Sequence, residues 1–489
     1  MVISPRIGKS VLFVALVGAV ALAGSRAFAL DETPSPTPST RSGKALTPIP
    51  DAATTPDALM SPGTLIPTYQ CMPEEDCVLR ACDVGPSGQH WFRADYLLWW
   101  TKGVRVVPLV TTSDPDDGGI IGMPTTEILF GNERIHGDSR SNMRFSFGWW
   151  LHCGRTSGVE FDFMSLGDSA TDFRFSCSDG GQPLYARPFF DVFQPLEGEN
   201  AELVCHPDYL RGTVDGRISE YFHSTGVNLR VNLCCHDPCG SCCGEDTCGE
   251  SCEEGCEEGC DSGCSENTRA AMYCNGLRGA LQRSRYRVDL IAGYRNYQLN
   301  DSLRVNEHLY VFEDHEFLRE GTTFDLYDDF RSRNEFHGAE LGVITQFHRC
   351  RWSLELLAKM ALGNNRQVVD IAGQTTTQAP GDVPVTVPGG LLALDTNIGR
   401  YTRDEFIVIP QFGAEIGYQL TCRLRAYVGY NFIYWANVAR AAEQVDYYVN
   451  SSYIPQEGQE PSGPARPQFD WKDSNFWAQG INLGLDYRF

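Results

Sequence analysis

Ten cysteines, Cys234, Cys235, Cys239, Cys242, Cys243, Cys248, Cys252, Cys256, Cys260 and Cys264, fall in one 31-residue stretch with nine acids and no Lys or Arg. Thiols so crowded can do three kinds of chemistry. In an oxidising compartment they tie an acidic, solvated knob with disulfides. Reduced, as thiolates beside carboxylates, they capture a soft metal such as zinc or copper(I). They can also crosslink neighbouring molecules, and the odd total of 19 Cys leaves at least one thiol free or intermolecular. The last five recur every four residues, a spacing no common zinc module uses, and Cys239-x-x-Cys242 lacks a second pair at a zinc spacing. The sequence leaves the three readings open.

A second set of groups could act on charge. Arg93, Asp95, Arg140, Arg144, Arg230, Arg285, Arg287, Arg295, Glu355, Lys359, Glu415, Arg423, Arg425, Asp486 and Arg488 each stand on the polar side of a run in which polar and apolar residues alternate. With Glu160, Asp162, Asp172, Arg174, Glu220 and Asp289 they make twelve cations against nine acids, in a chain whose formal charge is −23. Such groups around a water-filled lumen would set its selectivity and weakly favour anions. The alternative is that they pair across strands and plug a narrow interior. No chemistry of bond-breaking is visible: G-x-S-x-G, H-E-x-x-H, Gly-rich phosphate loops and EF-hand spacings are absent, and His152, His308, His315 and His337 are scattered. The expectation is a non-enzyme without a cofactor.

The elements that would position these charges are strands. In the final run, Trp477, Ile481, Leu483, Leu485, Tyr487 and Phe489 share one face, and Ala478, Gly480, Asn482, Gly484, Asp486 and Arg488 the other. The same alternation recurs over 91–100, 140–151, 159–163, 171–175, 221–233, 286–294, 352–362, 406–418 and 424–434, and more weakly over 334–347. Arg or Lys at mid-membrane on a lipid face costs about 2–4 kcal/mol, so this segregation suits a wall between lipid and an enclosed interior. A soluble sandwich also alternates, with its aromatics inside. Export and the aromatic terminus favour the membrane.

Export is read at the other end. Arg6 and Lys9, an apolar run from Val11 to Gly24, and Ala27-Phe28-Ala29 have the parts of a signal peptide over 1–29. A Pro/Thr/Ser-rich stretch over 30–90, with Cys71, Cys77 and Cys82 near its end, has the composition of a disordered linker. The barrel would occupy 91–489, interrupted by the Cys/acidic insert over 234–274. The acidic balance excludes nucleic acid as a first guess at a partner. Long and short connections alternate along the chain, and placing the carboxyl terminus in the periplasm puts the long ones outside and the insert in place of a periplasmic turn. The expected fold is all-β: a transmembrane antiparallel barrel of about twelve strands, with a range of ten to fourteen.

Particular segments carry a resemblance. Trp91-Phe-Arg-Ala-Asp-Tyr-Leu-Leu-Trp-Trp-Thr-Lys-Gly103, Pro108-Leu-Val-Thr-Thr-Ser113, Ala186-Arg-Pro-Phe-Phe190, 334–342, 397–401 and 428–435 are similar to segments of the β-barrel porin-7 family of planctomycete outer membranes. The resemblance implies a cell outer-membrane barrel and supplies no catalytic or ligand residues. Two functions from different classes follow as expectations. One is a porin-like channel for passive diffusion of small polar solutes. The other is a structural or surface-binding envelope protein, crosslinked or metal-binding through the Cys insert. The partners would be outer-membrane lipid and small polar solutes, with a homo-oligomer or disulfide-linked envelope proteins as further alternatives.

Overall fold

The computed structural model describes residues 88–152, 154–194, 196–236, 285–315, 318–349, 351–421, 423–455 and 460–489. The signal-peptide expectation, the linker up to residue 87 and the part of the 234–274 insert beyond His236 lie outside the described residues. Ten long strands close into a ring: β1 (His90–Thr101), β2 (Ser139–Trp150), β3 (Ser157–Ser176), β4 (Leu210–His236), β5 (Arg285–Val311), β6 (Thr323–Arg349), β7 (Trp352–Gln378), β8 (Gly399–Gln419), β9 (Leu424–Ala439) and β10 (Asp473–Arg488). Each is antiparallel to its neighbours in sequence, and β1 closes the ring by pairing with β10 from Trp91↔Arg488 to Thr101↔Ala478. At the seam Phe489 donates its N–H to the His90 carbonyl at 3.0 Å and accepts from His90 at 2.9 Å. A closed ring satisfies every ladder hydrogen bond without water, the condition a membrane sets for strands.

Among the described residues the ring has ten strands, two fewer than the central expectation of twelve and at the lower limit of the expected range of ten to fourteen. The runs at 159–163 and 171–175 belong to one strand, β3, broken by a bulge where Phe222 pairs with Gly167 and His223 with Ser165. Gly167 has φ +71° there, a left-handed conformation open to glycine. The extra residue reverses the parity of the strand, so the later run faces the opposite way from that expected: Phe173 is buried, and Asp172 and Arg174 are exposed. Between Cys177 and Leu210 a hairpin of 185–191 with 198–205 forms outside the ring.

Both ends of the barrel sequence and the short connections 151–156, 350–351 and 420–423 share one end, and the long loops 102–138, 177–209, 379–398 and 440–472 share the other. Short periplasmic turns and long outer loops are the rule for such barrels, which orients the molecule. His236 at the end of β4 and Arg285 at the start of β5 both stand at the periplasmic end.

Four strands, β4 to β7, are 27 residues each, whereas about 9–11 tilted residues cross the hydrocarbon. Composition shows where the membrane stops. On β5 the outward residues run Val288, Leu290, Ala292, Tyr294 and then Asn296, Gln298, Asn300, Ser302, Arg304, Asn306, His308. The inward residues change in the opposite sense, from Arg287, Asp289 and Arg295 to Tyr297, Leu299, Leu303, Val305, Leu309 and Val311. The periplasmic part is oily outside and charged inside. The outer part has the polarity of a soluble protein.

That outer part is filled. Short strands from three loops, 110–112, 127–130, 185–191, 198–205 and 448–449, pair into one small sheet. Its apolar residues, among them Val110, Phe189, Val204 and Val449, share a core with Val214, Ile218, Leu303, Val305, Phe330, Val369 and Leu391–Leu394. The Cys177–Cys205 disulfide ties the end of β3 to this cap across 28 residues. Closing a loop of that length restrains the unfolded chain by about 3–4 kcal/mol.

Candidate functional site: the barrel interior

Of the charged candidates, thirteen point inward: Arg93, Asp95, Arg140, Arg144, Arg230, Arg287, Arg295, Glu355, Lys359, Glu415, Arg425, Asp486 and Arg488. Arg285 is half-buried at the periplasmic start of β5. Arg423 is a correction: it is exposed in the turn before β9, one residue short of the alternating ladder, so it faces solvent. Of the ten candidate cysteines only Cys234 and Cys235 are described. Both are disulfide-bonded, which removes them as thiolate ligands. Cys239, Cys242, Cys243, Cys248, Cys252, Cys256, Cys260 and Cys264 lie outside the described residues.

The inward charges are brought together by reaching across the ring. Arg93 on β1 meets Glu355 on β7 at 2.9 Å and also Glu415 on β8. Arg144 on β2 donates to Asp95 at 3.0 Å and approaches Glu415 at 3.4 Å, while the Tyr427 hydroxyl donates to Asp95 at 2.7 Å. Arg295 on β5 holds Asp162 on β3 at 2.7 Å and also Glu340, which accepts in addition from Lys359 at 3.0 Å. Nearer the periplasm Arg230 and Arg287 converge on Asp289 at 2.6 and 2.8 Å, and Arg287 lies over the Trp150 ring at 4.2 Å. Charges removed from water need partners as close as these, because an isolated buried ion is strongly disfavoured. Small residues make room for the large ones: a Cβ on Gly484 would meet the Tyr427 ring at 2.2 Å.

Beyond this charged zone comes an apolar one. Leu97, Trp99, Phe222, Tyr297, Phe336, Ile409, Trp435 and Phe476 are buried inside the ring. Phe222 of β4 contacts Trp435 of β9, diametrically opposite in strand order, with ring centroids 6.5 Å apart, and Phe476 of β10 at 5.2 Å. Trp99 donates its indole N–H to Asn482 at 2.6 Å. These contacts span the axis, so the interior is packed at this level. Above it Arg440, just past the end of β9, holds both Glu220 and Asp301, and Glu220 also accepts from Arg140. Asn334 of β6 clamps Ala439 of β9 in both directions at 2.8 Å. Burial, opposed by Arg440 and reinforced by the charge of Glu220, pushes Asp301 up to about 7.

Three central residues escaped the sequence pattern. Arg440 lies outside any alternating run, although a lone Arg within Val438-Ala-Arg-Ala-Ala442 is a signal for a buried, paired charge. Glu340 sits in the weakly alternating run 334–347, where inward Gly338 and Gly342 alternate with it and blur the polar face. Asp301 falls within a stretch expected to be a loop. Among the described residues no group of three or more His, Cys, Asp or Glu is placed to hold a metal ion.

Comparison with known proteins adds the following. No curated protein matches the chain. Among solved structures, the outer membrane protease OmpT from Escherichia coli aligns at 9% identity and TM-score 0.34, covering 82% of this chain and 97% of its own. The Pseudomonas putida toluene transporter TodX aligns at 11% identity and TM-score 0.20, covering 82% and 90%. Likeness at these TM-scores carries nothing about function. The family model described as "Putative beta barrel porin-7" matches residues 91–489, which is almost the whole barrel. By that match, the chain belongs to the β-barrel porin-7 family and is a porin-like protein of the outer membrane.

Proposed function

We propose that this porin-family barrel is sealed at rest and serves to anchor and present its folded outer cap, as a structural or surface-binding component of the outer membrane. The observation that carries the reading is contact across the ring, Phe222 with Trp435 and Phe476 in one layer and Arg93 with Glu355 and Glu415 in another. Diffusion of a polar solute would require both layers to part. No enzymatic step is invoked. Single-channel recording in a planar bilayer is the test: the expected trace has no conductance steps, and steady steps from the unmodified protein would overturn the proposal.

A conducting barrel is the second reading, favoured by the family's description and by the charged periplasmic half of the interior. There a residual cavity of about 40 Å³ is lined by Arg93, Arg144, Asp162, Arg295 and Glu415 among others. On this reading the aromatic layer is a gate, and small solutes, anions somewhat preferred, pass when it opens. Replacing Phe222 and Trp435 together by Ala would then turn a silent barrel into a conducting one. A variant that folds and stays silent would leave the anchor alone.

A further inference from the structure

A cavity of about 500 Å³ lies in the cap, between loops 102–138 and 440–472, large enough for a monosaccharide-sized ligand. Lys102, Arg105, Arg134 and Lys472 line it, with Glu443 as the one acid. Four cations against one acid is a local reversal in a chain of net charge −23.

The backbone enforces part of this crowding. The two-residue ribbon Val104–Arg105 pairs with Arg134–Ile135 so that Arg105 stands directly opposite Arg134. Like charges in that cross-strand position repel. Both side chains are exposed, and neither meets a carboxylate among the described residues: Arg134 donates only to the Gly103 carbonyl at 3.3 Å. Lys102 is held below the usual lysine range, first by burial and then by repulsion from Arg134 and Arg440, against attraction from Glu443. The ammonium of Lys472 is fixed at the pocket by donating to the Val445 carbonyl at 2.8 Å. A structural role would pair these cations with acids, as the barrel interior does for every arginine in its central zone. Here the chain supplies a cage of donors whose repulsion an oxyanion would relieve, and the partly exposed Val107 and Tyr447 add apolar wall against which a sugar ring can pack.

We propose that this pocket binds a phosphorylated sugar, held by Arg105 and Arg134 on the phosphate with Lys102 and Lys472 beside it. The inference deepens the proposed function, resting on it for the cap as the presented part, but its test does not depend on conductance. A barrel that conducts yet binds would fail the first proposal and keep this one.

The experiment is calorimetric titration of the full chain in detergent with glucose 6-phosphate, inorganic phosphate and glucose. Glucose 6-phosphate is expected to bind one to one and glucose not at all, with affinity falling as salt rises from 50 to 500 mM, on the order expected for exposed charge. The double substitution Arg105→Gln, Arg134→Gln removes two exposed side chains and should weaken binding at least about tenfold, the factor that corresponds to 1.4 kcal/mol, with the melting temperature unchanged. A competition arm separates the sources. Displacement by micellar lipopolysaccharide points to a surface glycan and persistence points to a free solute, and both support the site. Failure of every phosphate probe to bind, or equal binding by the double variant, overturns it.

Discussion

Arg440 is the side chain on which most of the upper interior depends. Its guanidinium is fully buried and shared by Glu220 and Asp301, and its backbone neighbour Ala439 is clamped by Asn334. Removing one partner from a buried ion pair costs about 3–5 kcal/mol, because the remaining charges have no water to turn to. Arg440→Met is therefore expected to lower stability by roughly that amount, measured by urea titration of the folded barrel in detergent. A loss under about 1 kcal/mol, the range of exposed pairs, would show that water reaches the pair. Alternation did not mark this residue; only its isolation among small apolar neighbours in Val438-Ala-Arg-Ala-Ala442 did. Asn437, with φ +53°, sits where the register between β9 and β10 shifts, so the parity that identified Arg425 as inward carries no information beyond it. Arg93, Asp95 and Arg144 were legible because they lie inside unbroken alternation, whereas the partners they would choose across the ring were not, since strand parity says which face a residue takes and nothing about height.

At the scale of the strand, the change of polarity along β5 and β6 sets the edge of the membrane. The outward Val343 lies on the oily part of β6 and the outward Asn306 on the polar part of β5. Val343→Arg is expected to cost about 2–4 kcal/mol in folding into bilayers, while Asn306→Arg should cost only about 1 kcal/mol, the worth of the hydrogen bonds its amide makes with Arg304 and Asp215. Equal penalties, measured by refolding into vesicles, would mean the lipid reaches further up the strand than composition implies. This inversion also explains which part of the fold could be read. In the periplasmic half the oily face is outside on every strand, and that half gave the barrel and its lipid surface correctly. In the outer half the same alternation has the opposite meaning, so Phe173 and Phe175 looked lipid-facing when Phe173 is in fact buried under the cap and stacks on Phe130 at 4.1 Å. One glycine-bearing bulge at Gly167 was enough to divide a single strand into two in the sequence pattern. The 27-residue strands likewise read as shorter strands with long loops, because an amphipathic segment with its apolar side inward does not resemble a membrane strand.

For the whole molecule, the outer half has the polarity of a soluble domain carried on a membrane barrel, and its stability should respond to pH. Arg187 of the cap is buried between Glu307 and Asp328, with Glu202 alongside, so three carboxyls share one guanidinium. Burial, then the charge of Glu307, pushes Glu202 well above the usual range, and burial also raises Glu307. Asp301 at the base of the cap is pushed up to about 7 by burial and by the nearby Glu220. A raised carboxyl pKa means the folded state prefers the neutral acid. Its contribution to stability is full below the unfolded value of about 4 and is lost as pH rises through the folded one, for Asp301 near 7. The cap should therefore hold more tightly at pH 5.5 than at pH 8. Limited proteolysis of the full chain in vesicles, with protease outside and a pH-insensitive control substrate, is expected to cut the outer loops faster at the higher pH. Asp301→Asn and Glu202→Gln should each reduce the difference, because an amide cannot ionise. Equal cutting at both pH values, or faster cutting at the lower one, would mean that these acids are paired in the charged form, and that Arg187 and Arg440 outweigh the loss of water around them.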